Sequence, residues 1–144
     1  MQNVIKYFGV LLLLSIVLVS CDYHNDIVHT LKSFKEKRNT YETVVTNIQQ
    51  YRDALGCSTS RCKLRIKDIN IDKELQSNFF SIRIASSKPL IIEFNVTESI
   101  YAYIWYAETA DSVEYIFSYP QVVANELTLR KLDEHWFFVK RDWN

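Results

Sequence analysis

The feature that most constrains this chain is a change in the spacing of its apolar residues. Between Asp26 and Leu55 they recur at three- and four-residue intervals, as Ile27, Leu31, Phe34, Tyr41, Val45, Ile48 and Leu55, with Arg38 and Arg52 filling the two gaps in the rhythm. Residues at those intervals share one side of an α-helix, so the spacing predicts one long amphipathic helix or two abutting ones. The β-branched stretch "NTYETVVTN" weakens its middle, and Gly56 is a natural stop.

Beyond Gly56 the period falls to two. "KLRIKDINID" (63–72) alternates with a one-step slip at Lys67-Asp68, which a bulged strand explains. "FFSIRIA" (79–85), "PLIIEFNV" (89–96), "IYAYIWYAE" (100–108) and "VEYIFSY" (113–119) read as four further strands between the polar turns "SSK", "TES" and "TADS". "PQVVANE" reads as a short helical or irregular crossing, and "LTLRKL" with "HWFFVKRDW" as a closing hairpin around Asp133-Glu134. The expected fold class is α+β: a long N-terminal amphipathic helix packed on a curved antiparallel sheet of about six strands.

Composition narrows the chemistry. Two glycines, Gly9 and Gly56, leave no glycine-rich phosphate loop and predict turns built on Asn, Asp and Ser. Seventeen basic against seventeen acidic residues argue against nucleic acid as a partner, which demands a basic surface. An aromatic content of 14% points to a β-rich core.

Residues 7–19, "YFGVLLLLSIVLV", are apolar except for Ser15. Thirteen residues are too few to span a bilayer, where a helix needs about 20, but they suit the apolar region of an export signal. The following Leu18-Val19-Ser20-Cys21 resembles the bacterial lipobox. That resemblance implies a diacylglyceryl thioether on Cys21, cleavage before it and acylation of the new amino terminus. Two or more acyl chains give stable anchoring. Asp22, next to the cysteine, is similar to the signal that retains enterobacterial lipoproteins in the inner membrane, facing the periplasm. The implied organisation is a signal over 1–20, a lipidated tether over 21–25 and one α+β domain over 26–144. The membrane is then a partner through the anchor.

Cys57 and Cys62, in "GCSTSRC", would enter an oxidising compartment after export, where such a pair commonly forms a disulfide. A metal site needs two more ligands, which His24, His29 and His135 are not spaced to supply, and a redox pair usually has two intervening residues rather than four. No metal or cofactor is expected.

Two patterns offer a surface. In "YAYIWYA", Tyr101, Tyr103 and Trp105 point one way and Ile100, Ala102, Ile104 and Tyr106 the other. The first row is a candidate binding face, since Tyr and Trp bury much area while keeping a polar tip; a central strand buried on both sides has the same pattern. "RCKLRIK" places Arg61, Lys63, Arg65 and Lys67 on one side of a strand, either to meet an anionic surface or as a solvated, charge-protected edge. Catalytic motifs are absent: there is no nucleophile elbow and no HExxH. Glu93, Glu114 and His135 are the polar groups a cavity would have to use.

The order of a helix followed by a sheet looks like the cystatin-like and nuclear-transport-factor-like folds, and "LRKLDEHWFFVKRDWN" is similar to the closing hairpin of the latter. The expected function is that of a membrane-anchored envelope lipoprotein and non-catalytic protein-binding module with an envelope protein as partner. The alternatives are a small-molecule-binding or hydrolytic domain using a cavity on the sheet, and a purely structural lipoprotein.

Overall fold

The computed structural model describes residues 24–51, 72–87, 89–98, 101–118 and 120–142. Cys21, Asp22, Cys57, Cys62, Arg61, Lys63, Arg65 and Lys67 lie outside them. So does the strand expected over 63–72, apart from Asp72.

In place of one continuous N-terminal helix the chain forms two, α1 over residues 24–36 and α2 over Arg38–Tyr51, broken at Lys37. The two are nearly continuous in hydrogen bonding, because the Lys37 amide bonds the Ser33 carbonyl and the Thr40 and Tyr41 amides bond the Lys37 carbonyl. The predicted stripe is the buried one: Phe34, Tyr41, Val45 and Ile48 lie in the core, and Ile27 and Leu31 pack against it.

A short helix, α3 (Lys73–Gln76), follows, with the Asp72 carboxylate accepting from the Glu74 amide at 2.9 Å. Then come β1 (Ser81–Ser87), β2 (Leu90–Asn95) and β3 (Ala102–Ala107). Next are α4 (Ala110–Phe117), α5 (Pro120–Val123), β4 (Leu127–Lys131) and β5 (Trp136–Arg141). The strands form one antiparallel sheet in the order β1-β2-β3-β5-β4, with a bulge in β1 between Ile84 and Ser86. The described residues thus hold five strands rather than about six.

The strand expected over 113–119 is helix α4. Val113, Ile116 and Phe117 fit a helical spacing while Val113, Tyr115, Phe117 and Tyr119 fit an alternating one, and the turn before the segment decides between them. The Thr109 hydroxyl accepts from the Ser112 amide while the Ser112 hydroxyl accepts from the Thr109 amide, a reciprocal cap that starts a helix. The turn from α5 into β4 uses Asn125 at φ 57°, a left-handed conformation that Asn tolerates, in line with the scarcity of glycine.

Helices cover both faces of the sheet. On the inner face Ile82, Ile84, Leu90, Ile92, Phe94, Ala102, Ile104, Trp136 and Phe138 pack with α1 and α2. Tyr41 is the hub there, its ring 4.8 Å from Phe79, 5.0 Å from Phe94, 5.2 Å from Phe34 and 5.9 Å from Trp136. On the outer face Ile91, Trp105, Ala107, Leu127, Phe137 and Val139 pack with Ile116 of α4. Burial on two sides explains why "LIIEF", "AYIWYA" and "WFFV" are nearly continuous apolar runs.

Candidate functional site

Strand β3 is the centre of the sheet, and its outward row is the candidate binding face. The structure divides that row. Trp105 is 3% exposed and belongs to the outer core, while Tyr103 is half-buried beside it and Tyr101 is half-buried just before the strand. The surface at this face is therefore centred on Tyr103, with Trp105 as its floor.

The polar groups around Tyr103 come from register. Arg83 of β1 faces Glu93 of β2, and Glu93 faces Trp105 of β3. The Arg83 guanidinium lies 3.3 Å from Glu93 Oε1, and the Trp105 indole N–H donates to Glu93 Oε2 at 3.3 Å. Both carboxylate oxygens are thereby engaged, and the side chain is only 14% exposed. Burial pushes the Tyr103 phenol above its ordinary pKa of 10.0, and the Glu93 charge adds to the shift, while Arg141 and Arg83 act against it. Tyr103 is thus a neutral hydroxyl near charges of both signs, suited to hydrogen bonding rather than to nucleophilic attack. Arg83 is the member of this group that the sequence reading missed. The signal was available, since "SIRI" and "IIEF" each carry one charge, of opposite sign, on an otherwise apolar strand.

The three residues weighed for acid–base work are not brought together. Glu93 is on the outer face with its two partners. Glu114 is exposed on α4. His135 lies at the turn before β5, its Nδ1 2.9 Å from the Ala107 carbonyl and its ring 5.9 Å from that of Tyr106, whose side chain packs on the inner core. A carbonyl only accepts, so Nδ1 carries the proton. Near it, Gln49 donates to the Tyr106 hydroxyl at 3.3 Å and to Glu108 at 3.1 Å, a contact that ties α2 to the end of β3.

No cluster of three metal-ligating side chains exists among the described residues, and no described helix is long and apolar enough to cross a membrane. No family model, curated protein or solved structure matches the chain.

Proposed function

We propose that this is a lipid-anchored protein of the bacterial envelope that acts by binding another envelope protein rather than by catalysis. The observation that carries the reading is Leu18-Val19-Ser20-Cys21 at the end of a thirteen-residue apolar run, with the chain turning polar at Asp22. Cys21 receives the lipid, Asp22 favours the inner membrane, and Cys57 and Cys62 form a structural disulfide in the periplasm. The binding face is the outer side of the sheet around Tyr103 and Arg83.

The polar chemistry of the site supports binding over hydrolysis. Glu93 is engaged by Arg83 and Trp105, Glu114 is exposed on α4, and His135 bonds the Ala107 carbonyl. An exposed Arg and a half-buried Tyr on one face are instead common elements of recognition surfaces, where Tyr and Arg carry much of the energy.

The anchor is tested by expressing the full chain and a Cys21→Ser variant in a bacterial host, then comparing membrane fractions and intact masses. The expected result is a mature protein beginning at Cys21, heavier by its acyl chains, and a variant that is neither cleaved nor acylated. Cleavage elsewhere without a lipid mass contradicts the reading.

A further inference from the structure

Five contacts define which parts of the fold share an end with the start of α1. The Thr97 hydroxyl, two residues past β2, donates to the Asp26 carboxylate in α1. The Phe80 amide, just before β1, bonds the Asn95 carbonyl at the end of β2 at 2.8 Å. The Arg141 amide bonds the Tyr101 carbonyl at 2.9 Å, joining the end of β5 to the approach to β3. At the far corner the Asp142 amide bonds the Glu126 carbonyl at 2.9 Å, and the Glu126 amide bonds the Gln121 carbonyl of α5 at 2.8 Å. The opposite end carries the β4–β5 turn at Asp133-Glu134. Arg141 lies six positions beyond His135 along β5, so the two ends stand about 20 Å apart.

The described residues expose four large apolar side chains: Val28 at 49%, Phe80 at 56%, Phe117 at 53% and Val123 at 68%. Three of them belong to the end where α1 begins. Val28 is two residues from Asp26, Phe80 leads into β1, and Val123 closes α5. Scattered exposed apolar residues are ordinary. These three instead share one end of the sheet, Phe80 at its β1 edge and Val123 at its β4 edge, and the chain leaves from that end for Cys21, three residues before His24, a span of at most about 10 Å.

We propose that this end of the domain seats on the bilayer surface, with Phe80 and Val28 entering the headgroup–acyl boundary near the β1 edge and Val123 meeting it at the β4 edge. The proposal rests on the lipid-anchor reading and extends it from a tether to an oriented contact. Charge does not drive it: Lys140 is matched by Asp142 at 2.6 Å, and Glu98 is exposed at the same end. Exposed Glu98 and Glu126 flank the apolar side chains, and strongly anionic lipid is not required. The strands then run along the membrane normal, and the Tyr103–Arg83 face looks sideways, toward a neighbour in the same membrane.

The test uses the full-length, lipidated protein in vesicles of equal parts phosphatidylethanolamine and phosphatidylglycerol, with and without bromine on the acyl chains. Phe80→Trp and Val28→Trp each add an indole to the seated end, on different elements, and Glu134→Trp adds one to the opposite end. Wild-type emission, from Trp105, Trp136 and Trp143, is subtracted. The expected result is that bromolipid removes most of the added emission of Phe80→Trp and Val28→Trp and leaves that of Glu134→Trp unchanged. Equal quenching at both ends, or quenching only at Glu134→Trp, in protein whose mass carries the acyl chains overturns the orientation while leaving the anchor intact. A mass without those chains overturns the anchor reading itself, and this proposal with it.

Discussion

Arg38 and Asp133 lie 95 positions apart in the chain and meet at 2.9 Å between Nη2 and Oδ2. The same guanidinium sits 4.9 Å from the centre of the Phe34 ring and 5.0 Å from that of Trp136, and its Nε donates to Glu42 at 2.7 Å. One side chain therefore ties the junction of α1 and α2 to the β4–β5 turn through stacking and ion pairing together. Arg38→Ala is expected to cost about 1–2 kcal/mol, most of it from the cation–π contacts, since exposed ion pairs contribute little. Arg38→Lys recovers only a small part, because an ammonium cannot stack and fork at once. Urea titrations of the three proteins measure both values.

Asp133 also gives the acid limb of stability a local origin. The Glu134 backbone N–H and then the Arg38 guanidinium hold its carboxyl below the ordinary value of 3.8. A depressed folded-state pKa stabilises the fold above the unfolded value, and that contribution is lost as pH falls through the depressed value. Melting temperatures of Asp133→Asn and wild type should therefore converge below pH 3.8 and separate above it, with the wild type the more stable.

Tyr41 contributes to the alkaline limb. Burial pushes its phenol up to about 12, opposed only in part by the hydrogen bond with Ser33. A raised folded-state pKa means full stability below the ordinary value of 10.0 and a progressive loss as pH climbs toward about 12. The rise from 10.0 to about 12 corresponds to about 3 kcal/mol. Tyr41→Phe should lose about 1 kcal/mol at neutral pH, where the bond to Ser33 is given up. Between pH 10 and 12 its stability should fall much less steeply than that of the wild type, as chemical denaturation across this range would reveal.

The Thr97–Asp26 contact closes the fold at the end where α1 begins, and Asp26 is 6% exposed. Thr97→Val keeps the shape and removes one hydrogen bond to a charged carboxylate, so it is expected to cost about 1.5–3 kcal/mol. Thr97→Ser should retain most of that stability. Hydrogen exchange of the first turns of α1 should accelerate in the valine variant before exchange elsewhere does.

Much of the fold is legible in the sequence because its periods are clean. Ile27, Leu31, Phe34, Tyr41, Val45 and Ile48 mark the buried side of α1 and α2, and the strands of the hairpins fall where alternation places them. Arg38, an apparent gap in the apolar rhythm, is a packing residue whose cation lies over two rings. Residues 113–119 mislead because seven residues with five apolar or aromatic positions satisfy both periods. Only the hydroxyl pair Thr109 and Ser112 distinguishes them, and Ser at that place is a less familiar partner than Glu. The break at Lys37 has no Pro or Gly to announce it. In the site, Tyr103 and Trp105 share a face as alternation requires. What alternation cannot tell is that α4 would cover the Trp105 end and leave Tyr103 at the border. That depends on a helix read as a strand.

The central claim, a lipid-anchored module that binds a protein through the Tyr103 face, is tested most directly by crosslinking in the native envelope. The lipidated wild type would be recovered beside Tyr103→Ala and Arg83→Glu variants whose melting curves confirm a folded domain. The account predicts one envelope protein in near-stoichiometric yield with the wild type, and its loss from both variants. Recovery of no protein, or of the same protein undiminished with both variants, would contradict it.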